Sequence, residues 1–160
     1  METVEVAVQV VLVSLLAGWL VVGAYENIRA PEVNLDLMRD VFSMRSLSEE
    51  APELYELLKR NRITAPNIQE LLFRIVVVFE TIVATILVIA AFMLGLALFG
   101  LLNLEIARIL GVFGALGFTM IWGAFLVGGN WFHYWIAHKS TQHTHYFMTI
   151  WGIVTLAVLL

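Results

Sequence analysis

The chain has 160 residues, 61% of them hydrophobic and 14% charged, and its mean hydropathy is +0.88. These values lie outside the usual range of soluble globular domains and predict a single integral membrane domain over residues 1–160. The net charge of −4 argues against nucleic acid as a partner. With no cysteine, the chain has no disulfide framework, no thiolate metal site and no cysteine nucleophile.

The first apolar stretch, residues 4–25, predicts a membrane-spanning helix. A signal peptide is the alternative interpretation. It fits poorly because no Lys or Arg precedes Arg29 and because the apolar run is too long. We therefore expect the helix to be retained in the mature protein.

The connection that follows, residues 31–61, predicts two short amphipathic helices. Asn34 is expected to cap the first helix, and Ser46 with Glu49 forms a capping box for the second. We interpret the segment as a cap that lies on the end of the bundle and on lipid headgroups. A docking surface for a partner is the alternative.

The second predicted span, residues 66–100, contains the intramembrane carboxyl group of Glu80. It is the only charge in about thirty residues, which suffice to cross a hydrocarbon core of ~30 Å. An acid inside a span normally faces the bundle interior and has a hydrogen-bond partner. Depth counted from the span ends places Trp19, Thr119 and Trp122 in the same layer as candidate donors. We favour a structural role for the acid over a proton- or ion-handling role.

The third predicted span, residues 106–127, carries a strip of small side chains. Ala107, Gly111 and Ala115 follow one another at intervals of four residues. Such strips let helices approach closely. We favour packing inside the bundle, and a contact with another chain is the alternative.

Residues 128–135 (GGNWFHYW) follow the third span. The two glycines are expected to end the helix, and the aromatic side chains are typical of an interfacial belt. The alternative is a polar pocket in which Asn130 and Trp131 meet Glu80 and Asn27.

The four histidines all lie in or beside the second long connection. Imidazole clusters bind Zn, Cu or Ni, but no Cys, Asp or Glu joins them there, and their spacing matches no metal-site pattern. We interpret them as interfacial side chains, with metal binding a weak alternative and haem binding a weaker one. The only cofactor expected is bound lipid. The histidines are His133, His138, His143 and His145.

The fourth predicted span, residues 146–160, covers only about 22 Å. A chain end at Leu160 would hold a carboxylate in hydrocarbon, so we expect the natural chain to continue. Together the spans predict an all-α, four-helix transmembrane bundle. Seven of the nine basic residues lie in or beside the first connection, which favours a cytoplasmic position for both long connections.

Five short motifs occur in order along the chain: Asn27-Ile28, residues 41–44 (VFSM), residues 62–64 (RIT), Glu80 and residues 128–132 (GGNWF). Their order and spacing resemble a mostly bacterial family of predicted small integral membrane proteins, known only as a domain of unknown function. The resemblance covers most of the chain from Tyr25 to Trp151. It implies a four-span architecture and implies no reaction.

Three positions depart from the family's pattern. Phe79 replaces a Trp, Arg45 replaces an Asp, and Asn130 replaces a Glu, which removes one of two acids that could have acted together. The resemblance also implies a basic connection between spans two and three, where this chain has only Arg108. That implication would place the termini in the cytoplasm, against the charge count, so the orientation stays open.

The favoured function is a non-enzymatic accessory or assembly subunit of a larger membrane complex. Its expected partners are membrane lipid and other membrane subunits, or a second copy of the chain. The expected location is the cytoplasmic (inner) membrane of a bacterium. One alternative is a small transporter or oligomeric channel that uses Glu80. The other is a metal- or haem-binding membrane protein that uses the histidines.

Overall fold

A computed structural model of the chain describes residues 2–160, so Met1 of the predicted domain lies outside the described residues. The described residues form helices and their connections, which confirms the all-α prediction. Three helices are long and apolar enough to cross a membrane: α1 (Glu2–Arg29), α5 (Pro66–Leu98) and α6 (Leu104–Trp131).

The cap between α1 and α5 contains three α-helices instead of the two predicted. They are α2 (Pro31–Ser43), α3 (Arg45–Glu50) and α4 (Pro52–Leu58), and a 3-10 turn, Lys59–Asn61, follows. Proline cannot continue a helix from the preceding residue, so Pro52 begins a new one.

Two short elements complete the chain. They are α7 (Tyr134–Ala137) and α8 (Lys139–Leu159). The long helix α8 is the counterpart of the fourth predicted span. Its first two turns are polar, and it is not among the three helices apolar enough to cross a membrane. Composition alone therefore does not identify α8 as a fourth membrane span, and its packing has to be considered.

The four long helices pack in chain order around one core: α1 against α5, α5 against α6, and α6 against α8. Trp19 of α1 also meets Trp151 of α8 edge to face, with ring centroids 6.3 Å apart. The core draws side chains from all four helices, among them Leu16, Leu20, Leu87, Leu94, Phe118 and Leu159.

Glycines in α6 allow the central helices to approach closely. A Cβ added to Gly117 would lie 2.8 Å from Val83 Cγ2, and one added to Gly114 would lie 2.7 Å from Leu87 Cδ2. Both distances are too short for real carbon contacts. The small-residue strip of α6 therefore packs inside the bundle, which is the interpretation that the sequence favoured.

A polar contact ties the helices together at the end of the bundle that is remote from the cap. The buried Gln9 amide donates to the carbonyl oxygen of Val158 over 2.9 Å. The same amide accepts from Arg108 Nε over 3.0 Å. Gln9 thus joins α1, α6 and α8, and its polar atoms are paired as burial requires.

The cap packs on the second long connection, residues 132–138. Met44 and Leu47 of the cap are buried together with Phe132. Within the first connection, Ile63 N donates to Phe42 O over 2.8 Å, which ties α2 to the segment that leads into α5. Both long connections therefore close the same end of the bundle.

Gly128 and Gly129 do not end α6, contrary to the sequence-based expectation. The helix continues through both of them to Trp131. A Cβ on Gly129 would overlap the ring of Tyr134, which is itself 4% exposed, whereas Gly128 has open space around it. Gly129 is required because an aromatic ring lies on its backbone.

The two neighbouring glycines provide a matched test of this contact. Gly129→Ala should destabilise the fold by about 1–3 kcal/mol, because the Tyr134 ring must shift. Gly128→Ala should leave stability unchanged or raise it by up to about 1 kcal/mol, since Ala is the better helix former. Thermal unfolding in detergent, followed by circular dichroism, measures both. Equal effects of the two substitutions would show that the ring does not constrain this position.

Candidate functional site

Glu80 lies inside the bundle, 6% exposed, and one side chain donates to it. Asn27 Nδ2 donates to Glu80 Oε2 over 2.7 Å. Asn27 belongs to the last turn of α1, whereas Glu80 is about 21 Å along α5 from Pro66. The first four turns of α5 therefore continue past the end of α1, and the Asn27 amide reaches the acid at the point where α1 stops.

A second amide extends the contact towards the cap. Asn34 Nδ2 donates to Asn27 Oδ1 over 2.6 Å. Asn34 does not cap α2 as the sequence suggested, because the helix begins at Pro31 after Ala30 and has no side-chain cap. The structure thus forms an amide chain, Asn34–Asn27–Glu80, that links the cap to the bundle interior.

The predicted donors Trp19, Thr119 and Trp122 make other contacts. Trp19 packs on Trp151, and the Thr119 hydroxyl donates to Ala115 O over 2.8 Å. Trp122 Nε1 is buried without a hydrogen-bond partner among the described residues. The donor is Asn27, which the sequence placed beside Glu80 only in the alternative pocket with Asn130 and Trp131.

Asn130 and Trp131 are exposed at the end of α6 and do not join the amide chain. Gly117 of α6 lies at the level of Val83 of α5, which is close to the level of Glu80. Counted by helical rise from there, Asn130 lies about 15 Å beyond Glu80, towards the cap. Trp131 meets the cap through its backbone, since Asn61 Nδ2 donates to Trp131 O over 3.2 Å.

The amide chain can hold a carboxyl group in place but cannot pass protons along itself. Each Asn side chain has one acceptor oxygen and two donor hydrogens and does not titrate in the ordinary pH range. Asn27 therefore orients Glu80 and satisfies one of its oxygens. Any proton that Glu80 exchanged would have to move by way of water or another group.

A second buried carboxylate, Asp40 of α2, was not singled out from the sequence. It accepts hydrogen bonds from the backbone N of Ser46, over 2.9 Å, and from the Ser46 hydroxyl. Arg45 Nε lies 3.3 Å from its Oδ1, and His138 Nε2 lies 3.4 Å from its Oδ2. Asp40 therefore has partners on both the cap and the second connection. The capping box predicted for Ser46 and Glu49 is absent, because α3 begins at Arg45 and the Ser46 side chain binds Asp40 instead.

His145 and Tyr134 form an aromatic pair beside the apolar part of α8, with Tyr134 buried and His145 half-buried. Tyr134 Oη lies 3.2 Å from His145 Nδ1, and the Trp122 and Phe125 rings surround the imidazole. Burial lowers the pKa of His145 to about 4. Burial, and secondarily Tyr146, raises the pKa of Tyr134 to about 12. Both groups are therefore neutral at physiological pH.

The histidines do not converge on one point. His138 faces Asp40, His145 faces Tyr134, and His143 is exposed. Within residues 2–160, no group of three or more His, Asp or Glu side chains is arranged to hold a metal ion.

A family model described as predicted small integral membrane protein (DUF2165) matches residues 6–160. The chain belongs to this family. It is therefore an integral membrane protein, and the resemblance stated from the short motifs is confirmed. No curated protein and no solved structure matches the chain.

The motifs that carry the family resemblance meet at the capped end of the bundle. Asn27 and Glu80 bind each other directly. Residues 41–44 contact both other motifs: Phe42 O accepts from Ile63 N, and the Phe42 ring lies 5.2 Å from the Phe132 ring. The motifs therefore form two groups of contacts, Asn27 with Glu80 and residues 41–44 with the other two motifs.

Removing the amide that faces Glu80 should weaken the bundle. Asn27→Ala leaves the buried carboxyl group without its donor and should cost about 1–3 kcal/mol. Asn130→Ala is the matched control, because that amide is exposed, and it should change stability by less than about 0.5 kcal/mol. Denaturant unfolding in mixed micelles measures both. If Asn27→Ala were as stable as the control, the bond to Glu80 would not contribute to the fold.

Proposed function

We propose that the chain is a non-enzymatic accessory or assembly subunit in a bacterial cytoplasmic membrane, and that α8 crosses the membrane as a fourth helix. The packing of α8 supports the second point. Gly152 lies against Phe118, and Leu159 lies against Gly111, so α8 runs antiparallel to α6 along the same core. A lipid-embedded α6 would bring this part of α8 into the hydrocarbon with it.

The observation that carries the proposal is an open strip of small side chains on α1. Ser14 and Gly18 are both exposed and lie four residues apart. A Cβ added to Gly18 would meet no atom within 4 Å. Spacing of this kind lets the backbone of a second helix approach closely.

The strip on α1 differs from the strip on α6 in what already fills it. Gly114 and Gly117 of α6 contact Leu87 and Val83, so no other chain can use these two glycines. The α1 strip instead lies between exposed apolar side chains such as Val11 and Val22. This arrangement suits a transmembrane helix of another subunit, which would bind by van der Waals packing.

Filling the strip tests the proposal. Gly18→Leu should reduce co-purification of a partner, or self-association, by about tenfold or more, because the partner backbone can no longer approach. Gly95→Leu is the matched control: this α5 glycine also has open space around it, and the substitution should have no effect. Native mass spectrometry after gentle extraction measures the assemblies. A chain always recovered alone would contradict the proposal.

The amide chain favours a second candidate, a small transporter or channel in which Glu80 is the polar site. The supporting observation is that Asn27 and Asn34 connect this intramembrane acid to the cap. Acids inside membrane spans commonly mark ion or proton pathways. This candidate concerns the interior of the chain and is independent of the α1 strip.

Proton flux separates the two candidates. If Glu80 handles protons, Glu80→Gln should abolish flux into liposomes under an imposed pH gradient, while the Asn27 bond to the new amide oxygen preserves the fold. Glu70→Gln is the control, because Glu70 lies on the same helix and pairs with Arg74. A pH-sensitive dye inside the liposomes reports the flux. Equal flux in wild type and in both variants would eliminate the transport candidate.

A further inference from the structure

Asp40 and His138 form the one contact between an acidic and a basic side chain that joins the cap to the second connection among the described residues. Asp40 lies on α2, and His138 lies between α7 and α8. Both side chains are largely buried, at 10% and 14% exposure. The contact therefore bridges two segments that are nearly one hundred residues apart in the chain.

We propose that the cap, α2 to α4, is a lid that the Asp40–His138 contact holds closed and that, when released, admits water to the amide chain of Glu80. The lid is attached at two places. Ala30 joins it to α1, and residues 62–65 join it to α5 without regular structure. Such element-terminal residues can absorb the backbone rotation of a hinge.

Contacts of two kinds favour the closed lid. Asp40 is surrounded by donors from the cap, Ser46 and Arg45, and by His138 from the opposite side. Beside it, Met44 and Phe132 exclude water from the same surface. Opening would separate the apolar pair, break the His138 contact and draw Asn61 from Trp131 O, but it would leave the bonds of Asp40 within the cap intact.

One feature of the closed contact favours opening. His133 Nδ1 is buried with no hydrogen-bond partner in the described part of the chain, and water would satisfy it on opening.

The packing at this contact is also incomplete. A cavity of about 10 Å³ lies between the lid and the second connection, lined by Asp40, Met44 and His138 among others. It has room for at most one water molecule. Some contacts therefore favour the closed lid and other features favour the open lid, as a two-state element requires.

The lid controls Glu80 because Asn34 belongs to it. Asn34 and Asp40 lie on the same helix, about 9 Å apart along its axis. A movement of α2 that releases Asp40 would therefore also draw Asn34 from Asn27. The outer end of the amide chain would then be open to water.

The absence of cysteine makes the lid movement directly measurable. Spin labels on Glu53→Cys, in the lid, and Ser140→Cys, on α8, report the distance between them by pulsed electron paramagnetic resonance in lipid nanodiscs. Both positions are exposed. His138→Phe removes the bridging contact but retains a ring, and it should raise a longer-distance population by about tenfold, the equilibrium factor of one such contact.

Two further variants of α2 show whether the opening depends on Asp40. Asp40→Asn should also open the lid, whereas Asp36→Asn should not, because Asp36 lies on the same helix but is exposed and pairs with Arg39. An unchanged distance distribution in a folded His138→Phe protein would overturn the proposal. Since His138→Phe leaves the other partners of Asp40 in place, it keeps the test valid even if Asp40→Asn fails to fold.

A second readout tests access to the acid. A water-soluble carbodiimide with an amine nucleophile modifies carboxyl groups that water reaches, and mass spectrometry quantifies the modification at Glu80. Labelling should rise several-fold in His138→Phe and stay at the wild-type level in Asp36→Asn. A lid that opens without added labelling would overturn the claim of access. Because the nanodiscs hold single copies, the result does not depend on lateral association.

Discussion

The hydrogen bond between Asn27 and Glu80 fixes how the first two long helices lie against each other. A carboxyl group inside an apolar bundle is costly unless a donor satisfies it. The only side chain that donates to it within residues 2–160 is the amide at the end of α1. This pairing sets the register of α1 against α5 and leaves the first four turns of α5 free to carry the cap.

Polar contacts set the register at both ends of the bundle, and small residues determine the packing between them. Gln9 binds Arg108 at one end, and Asn27 binds Glu80 at the other. Between these levels, Gly117 brings α6 close to α5. Apolar packing alone tolerates sliding of one helix along another, because lipid-like side chains are interchangeable. A hydrogen bond in the same environment permits one register.

The sequence predicted the long helices and the interior position of an acid, because both follow from local composition. Its depth count missed the partner of Glu80, because depth had to be counted from assumed span ends, and Asn27 was named beside the acid only in the alternative pocket with Asn130 and Trp131. That count placed Trp19 beside the acid, but α5 extends past the end of α1, so the residue at that level is Asn27. Relative helix offset is a tertiary property with no local signal.

The contacts of the cap could not be predicted from the sequence either, for a different reason. Ser46 with Glu49 fits a capping box, yet Ser46 binds Asp40 six residues earlier, and Pro52 divides the segment once more. Local patterns cannot show that a left-handed residue, Met44, turns the chain back on α2. The contact with the second connection stabilises that turn, and no window of sequence contains both partners.

Two roles of Glu80 make opposite demands on the cap. A structural acid requires that Asn27 and Asn34 stay in place, because water at this depth would compete for the same oxygens. An ion-handling acid requires that water reach it, because asparagine amides hold protons and do not relay them. The side chains of α2 decide between these states, since Asn34 joins that helix to the acid and Asp40 joins it to the second connection. Whether Glu80 is a structural or an ion-handling acid therefore depends on whether α2 leaves the bundle.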